Sequence, residues 1–409
     1  MRNPKRALIT GLDLVPLARS ARKAGYEVFA VDYFGDVDLQ RLCVGVKSII
    51  KQWRGKSCGY VSKDFNSERL LRLIEKVWKG WRIDFLLFSS GFEDSPEVLR
   101  RLYRFPVVGN DPEAIAKVRD KTSLYERLKA LGVKCPDTSV IGSLREAVRV
   151  CRDIGYPVVL KPEATLGGTG IRKVSSEEEL RSAFREVSKL NSEVVVQEYI
   201  EGTPVSVSLL SSKAEAIALT VNEQLLGIPS VGAREPFSYC GNVVPAVLST
   251  ETVETCVNFS LKVARYFGLL GSNGVDLVVS REGLPYVIEV NPRFQGSLEC
   301  AEYVSGVNLV EAHIAACLEK RLPERLRRRE GFCVRLILYA PRRLIAPDLS
   351  GVEGVRDVPF EGVIIEEGEP LCSIMAYGET RSLALKKAEI KRELIYRAAG
   401  VSGQSGRRV

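Results

Sequence analysis

Three stretches hold residues whose types and spacing could do chemistry. The first is Val158-Val159-Leu160-Lys161, followed by Thr165-Leu166-Gly167-Gly168-Thr169-Gly170. An apolar strand that ends in lysine beside glycines suits phosphate oxygens, because glycine amides approach a polyphosphate with no side chain in the way. The pattern G-x-x-x-x-G-K-[ST] is absent, so the phosphate site would be of another design. A tight hairpin would use the same glycines. The second stretch places Asp276 before Glu289-Val290-Asn291-Pro292-Arg293. Glu289 and Asn291 are two apart and share one face of a strand. If the strands pair across a turn near Gly283, Asp276 meets Glu289. Three hard oxygen ligands then form a site for Mg²⁺, which takes one or two carboxylates, waters and substrate phosphates. Arg293 follows, able to neutralise phosphoryl or acyl-phosphate charge. A plain surface pair of Glu289 with Arg293 would not explain why polar residues end an apolar strand. The third stretch is Gln197-Glu198-Tyr199-Ile200-Glu201-Gly202, a strand running out into a glycine. Its free backbone groups could read a base such as adenine.

The elements that must position these residues follow from periodicity. Arg6 to Leu14, Tyr26 to Asp32 and Asp84 to Ser89 read as strands. Val15 to Ala24, Ser67 to Trp81 and Ser95 to Tyr103 read as helices. That alternation means βαβ units on a parallel sheet, whose strand ends face ligands. Asp13, Asp32 and Ser90-Gly91-Phe92-Glu93-Asp94 lie at such ends. The fingerprint G-x-G-x-x-G is missing there, which argues against a dinucleotide. One long helix is expected over Pro112 to Leu131. A second, over Ser143 to Ile154, opens with a Ser143/Glu146 capping box. Strands are expected over Asp137–Ile141, Tyr156–Lys161, Ile171–Val174 and Val194–Ile200, with a helix over Ser176–Leu190. Antiparallel strands follow at Thr203–Leu210 and Ala214–Val221, and a helix at Thr252–Leu269. A hairpin joins Val275–Ser280 to Pro285–Val290 through Arg281-Glu282-Gly283-Leu284. Strands near Cys333–Tyr339 and Leu371–Ala376 precede a helix over Arg381–Ala398. Ser402 to Arg408 reads as a disordered tail.

Composition excludes several classes. The 409 residues, 45% hydrophobic and 27% charged, are globular in type and enough for two or three domains. A net charge of +8, from 59 Lys+Arg against 51 Asp+Glu, is spread out. It is no argument for nucleic acid. The cluster Arg325–Arg329 reads as a solvated helix face. No apolar run reaches the ~20 residues of a membrane span, and no signal-peptide core is present, so a cytoplasmic protein is expected. Ten scattered cysteines, without a C-x-x-C pair, read mostly as buried thiols, Cys151 and Cys317 among them, although a disulfide is open in a thermophile. Only two methionines, with abundant Arg, Lys, Glu and Val, lean towards a thermophile. The single histidine, His313, rules out multi-histidine metal sites. No G-x-S-x-G elbow accompanies it, so it reads as a helix residue near the surface.

Taken in order, these elements resemble the ATP-grasp superfamily of carboxylate–amine ligases. The resemblance covers about Pro112 to Glu319 and is carried by Lys121, Lys161 with its glycine loop, the Glu198–Gly202 hinge, and Asp276 with Glu289-Val290-Asn291-Pro292-Arg293. Gly11-Leu12-Asp13, Ser90-Gly91-Phe92-Glu93 and Tyr239-Cys240-Gly241-Asn242 look like motifs of an archaeal group of predicted ATP-dependent carboligases. The resemblance implies a mixed α/β fold. It has a Rossmann-like domain over 1–110, an ATP-grasp domain over 111–320 with a lid at about 135–197, and a small β-rich C-terminal domain over 321–409. It implies ATP as cofactor with Mg²⁺, for which Mn²⁺ could substitute. Lys121 and Lys161 would contact the phosphates, and Gly167, Gly168, Thr169 and Gly170 would close over them. Gln197, Glu198, Tyr199, Ile200 and Glu201 would hold the nucleoside. Asp276, Glu289 and Asn291 would ligate the metal, and Arg293 would stabilise the transferring phosphoryl group. Thr203, Pro204 and Val205 stand where many relatives carry an acidic ribose ligand, so that role falls to Glu201 or is vacant.

The implied reaction phosphorylates a carboxylate and passes the acyl group to an amine. Asp13, Gly91, Glu93, Arg234 and Asn242 are candidates to hold the small-molecule acid and amine, and Glu93 or Glu223 to take the amine's proton. Neither nucleic acid nor membrane is an expected partner, and a homodimer is compatible with the sequence. Two other classes compete. One is ATP-dependent carboxylation or formyl transfer, as in purine-pathway relatives. The other is an ATP-binding module without chemistry.

Overall fold

The computed structural model describes residues 5–57, 65–163 and 167–401. Thr165, Leu166 and the expected tail from Ser402 lie outside them. The first unit is a parallel sheet of β1 (Arg6–Gly11), β2 (Glu27–Asp32), β3 (Gly45–Ser48) and β4 (Phe85–Phe88), in the order β3-β2-β1-β4. The helices α1 (Val15–Lys23), α2 (Val37–Leu42), α3 (Ser67–Trp81) and α4 (Pro96–Leu102) accompany it. The strands β1, β2 and β4 are buried almost throughout, as a sheet covered on both faces requires. Here α2 and β3 are additions to the elements read from sequence.

The long helix expected over Pro112–Leu131 is two helices, α5 (Pro112–Arg119) and α6 (Lys121–Ala130). Asp120 between them is extended, and its carboxylate accepts from the amides of Thr122 and Ser123. It caps the second helix instead of continuing the first. The break matters. On one continuous helix, positions 119 and 121 would point about 200° apart.

The lid is a unit of its own. Its sheet has the order β5-β8-β6-β7, from β5 (Thr138–Ile141), β6 (Val158–Pro162), β7 (Arg172–Val174) and β8 (Val194–Glu198). Helices α7 (Leu144–Ile154) and α8 (Glu177–Val187) cover one side. The capping box at Ser143 is formed, with both reciprocal bonds present. Its core, including Ile141, Cys151, Leu160, Leu180 and Val196, is drawn from lid residues.

The remaining strands form one eight-stranded sheet: β9 (Gly202–Ser212), β10 (Ala216–Leu226), β11 (Tyr239–Val244), β12 (Leu270–Ser280), β13 (Pro285–Asn291), β14 (Phe332–Tyr339), β16 (Val355–Arg356) and β18 (Pro370–Gly378). Their order is β13-β12-β9-β10-β11-β14-β18-β16. Strands on either side of residue 320 therefore pair directly, β11 with β14. The short β15 (Leu344–Ile345) and β17 (Ile364–Ile365) make a separate ribbon. Around the sheet pack α9 (Thr250–Tyr266), α10 (Leu298–Ser305), α11 (Leu309–Ile314) and α12 (Arg381–Ala398).

Alternation in the sequence Val205-Ser206-Val207-Ser208-Leu209 decides which face of this sheet does chemistry. Val205, Val207 and Leu209 share a core with Cys256 and Val263 of α9, while Ser206 looks into a cavity on the other face. Across the strands, Glu289 opposes Asp276, Asp276 opposes Ser206, and Ser206 opposes Asn222. One polar row thus crosses four strands.

Two surface expectations are corrected. Arg325–Arg329 is exposed, but it lies in irregular chain between Lys320 and Phe332, with no helix. His313 is only 3% exposed. Its Nδ1 accepts from the Ser272 amide at 2.8 Å, and Nε2 donates to the Val108 carbonyl at 3.0 Å. Those two bonds tie the first unit to β12, and burial holds the imidazole down at about 4.

Candidate active site

A cavity of about 700 Å³ lies where the carboxyl ends of β1 and β4, the lid and the polar face of the large sheet converge. Lys161, Gln197–Ile200, Asp276, Glu289, Asn291, Arg293, Asp13 and Glu93 all line it. The three stretches singled out in the sequence therefore meet.

At one end, cations gather on a single carboxylate. Glu289 Oε1 accepts from Lys121 Nζ at 2.9 Å and from Arg119 Nη1 at 2.8 Å. The break at Asp120 is what brings both cations there. Burial pushes the Glu289 carboxyl up, but Lys121, Arg119 and Lys161 outweigh it and hold it well below the usual range. Lys161 is 8% exposed and donates to Gln197 Oε1 at 3.1 Å. Burial, with the charges of Lys121 and Arg119, brings its ammonium down to about 7. Gln197 is held in turn, donating to Tyr125 Oη at 2.8 Å and Thr138 Oγ1 at 2.9 Å.

Asp276 lies beside these groups in the same cavity. Asn291 Nδ2 donates to its Oδ2 at 2.9 Å and Gln224 Nε2 to its Oδ1 at 3.2 Å. Burial and the neighbouring Glu289 charge raise it to about 7. Two carboxylates in register, one destabilised by the other's charge, with an amide beside them, fit a divalent cation that also takes substrate phosphates.

The glycine loop is pinned above the cavity. Gly167 accepts from the Tyr239 amide at 3.0 Å. The Gly170 amide donates to Glu235 Oε2 at 2.9 Å, and Arg172 bonds the other oxygen of Glu235 at 3.3 Å. Gly168 has φ +82°, and a Cβ there would stand 2.0 Å from the Phe237 carbonyl, so glycine is required. The hinge is equally close. A Cβ on Gly202 would meet the Val279 carbonyl at 1.9 Å. The amides of Glu198 and Tyr199 donate to Asp137 and Pro157 carbonyls. Lys173 sits 3.9 Å over the Tyr199 ring. Glu201 is paired with Arg281 at 2.6 Å on the exposed edge.

The other end is built of arginines that already have carboxylates. Arg293 Nε donates to Glu93 Oε1 at 2.6 Å, and Glu93 Oε2 accepts from the amides of Gly91 and Phe92. Burial would raise Glu93, but Arg293 and Arg119 outweigh it and keep it charged. Glu223, the alternative proton acceptor, is chelated by Arg381 away from the lining residues. Arg335, which the sequence reading missed, is 3% exposed. It holds Asp13 and Asp357, both at 3.0 Å through Nη2. Asp36 also lines the cavity here and is pushed well above the carboxylate range by burial and by Asp32, Asp357, Asp38 and Asp13. Asn242 accepts from the Tyr239 hydroxyl, and Arg234, more exposed, pairs with Glu367 at the rim. Glu235, Arg335, Asp36 and Asp357 carried no motif, and Arg119, two residues before Lys121, was given no role; only contacts distant in sequence reveal what they do.

An ATP-grasp domain model matches residues 118–297. This stretch is an ATP-grasp domain. An uncharacterised protein of Methanocaldococcus jannaschii is 25% identical over 389 residues, covering 92% of this chain and 90% of that protein. The C-terminal section of the carbamoyl phosphate synthase large chain of Methanopyrus kandleri is 28% identical over 53% of this chain, which spans only 40% of that relative. The ATP-grasp fold extends to solved structures. The biotin carboxylase domain dimer of Hydrogenobacter thermophilus 2-oxoglutarate carboxylase, in complex with MgADP and bicarbonate, superposes with a TM-score of 0.75. It is 20% identical, and the match covers 94% of this chain and 88% of that one. Campylobacter jejuni biotin carboxylase gives 0.74 at 18% identity.

Proposed function

We propose that this protein is an ATP-dependent carboxylate–amine ligase that forms an amide through an acyl phosphate and releases ADP and phosphate. The observation that carries this reading is the polarity of the one cavity. Lys161 and Arg119 line one end, with Lys121 behind Glu289, while Asp13, Glu93, Asp36 and Asp357 outnumber Arg293 and Arg335 at the other. A polyphosphate suits the first end and an ammonium group the second.

In this reading the lysines hold the ATP phosphates under the Gly167–Gly170 loop, and Ile200, between β8 and β9, presents backbone to adenine. Glu201 is left for the ribose. Asp276, Glu289 and Asn291 would hold Mg²⁺, which when bound neutralises charge between the phosphates. ATP would free Glu289 by drawing Lys121 and Arg119 onto its own oxygens. Arg293, presented by Glu93, stabilises the equatorial oxygens as the acid's carboxylate attacks the γ-phosphorus. The closed lid keeps water from the acyl phosphate. The amine enters beside Asp13, Asp36 and Asp357 as its ammonium form. Asp357, raised by burial to about 6 and so still ionised near neutral pH, takes its proton before attack.

A second reading is favoured by one finding: the bicarbonate in the Hydrogenobacter domain's structure. Bicarbonate would then be the acid phosphorylated. ADP release with Mg²⁺ separates the readings. Release that needs an organic acid and an amine together, and disappears in Glu289→Ala, supports the ligase. Release with bicarbonate alone supports carboxylation, and no release with any pair defeats both.

A further inference from the structure

Cys300 lies on α10 and Cys333 on β14, and both are fully buried. Their sulfurs are 2.8 Å apart. That is ~0.8 Å beyond a covalent S–S bond of ~2.05 Å and closer than two unbonded sulfurs rest at ease. The surroundings are Val244, Val304 and Met375, with Tyr303 and Tyr377 stacked at 4.4 Å. We propose that Cys300 and Cys333 are a covalent modification site: they join as a disulfide that staples α10 to β14.

The bond would have a particular use. Between the two cysteines runs the irregular, arginine-rich stretch from Arg321 to Gly331, which contributes little core. A link across 33 residues removes unfolded-chain entropy where packing is thinnest. It also joins two parts of the cavity wall. The Arg293–Ser297 loop leads into α10, and Arg335 stands two residues beyond Cys333. The chemistry is thiol–disulfide exchange with a small-molecule disulfide. One cysteine thiolate displaces a small thiol and forms a mixed disulfide. The other displaces the second small thiol. The pair loses two protons and two electrons, and the small-molecule disulfide leaves as two thiols. Burial shields the product from reductants.

The test equilibrates the full chain with reduced and oxidised glutathione just below its unfolding midpoint, then denatures it in iodoacetamide and maps the peptides. The expected result is a 300–333 linked peptide and a native chain 2 Da lighter. Dithiothreitol opens this link only after denaturation. The unfolding midpoint should fall by about 5 °C on reduction. A Cys333→Ala chain should show no such shift. Alkylation of both cysteines, or either one linked elsewhere, overturns the proposal.

Discussion

The two ends of the cavity solve opposite electrostatic problems. At the lid end, Glu289 is shared by Lys121 and Arg119, and Lys161 is buried against a neutral amide. Arg119 also bonds Asp94 at 2.6 Å, so three cations face Glu289, Asp94 and Asp276, and burial with two like-charged neighbours brings Lys161 down to about 7. At the end formed by the first domain, Arg335 and Arg293 each already hold carboxylates, and four further carboxylates, Asp32, Asp357, Asp38 and Asp13, act on Asp36. Lys161, bonded to a neutral amide and not to a carboxylate, is the lid-end cation most available to a ligand. The arginines at the other end serve mainly to position acids and loops. Charge of one sign need not mean one role.

Substitutions can break this contrast. The largest effect is expected from Glu289→Ala, which removes the partner of two cations and a proposed metal ligand. ADP release should fall on the order of 10³-fold. Arg335→Met should act on stability. It strands Asp13 and Asp357, which are largely buried, and should lower unfolding free energy by about 3–5 kcal/mol in a denaturant titration. An unchanged titration midpoint would show that Arg335 is not structural.

Lys161→Met should raise the KM for ATP by roughly 10–100-fold, the value of a lost hydrogen bond to a charged group. Its titration sharpens the point. In the free protein Lys161 is mostly neutral above about pH 7. A polyphosphate favours the ammonium, so binding at pH 8 should take up close to one proton, and affinity should fall as pH rises through 7 and beyond. Calorimetry in buffers of different ionisation heat reads that uptake, which should vanish in the variant. The smallest effect is expected from Asp36→Asn. The KM of the amine should rise about tenfold, ~1.4 kcal/mol, with the KM of ATP unmoved. Equal shifts in both would abolish the division between the ends.

Much of this site was legible because short-range rules govern it. Period-two alternation separated Val205, Val207 and Leu209 from Ser206, and the hairpin at Gly283 did bring Asp276 opposite Glu289. Gly168 and Gly202 read in the sequence as part of a phosphate loop and a hinge; the structure adds a different reason for them, since the Phe237 and Val279 carbonyls leave no room for a Cβ. The helix from Pro112 was misread because Asp120 is as compatible with a solvent-facing helix position as with a cap. His313 was misread because its two buried partners, Ser272 and Val108, are 41 and 205 residues away.

The sequence by itself determined most element types, the Asp276–Glu289 pair on the large sheet and the candidate residues beside it, since backbone periodicity and side-chain chemistry are local properties. Only the tertiary structure decided which charges neutralise one another. Asp13 and Arg335 are 322 residues apart, and Arg119 reaches Glu289 across 170. Coulomb interactions depend on distance in space and on burial, and the order of residues along a chain fixes neither.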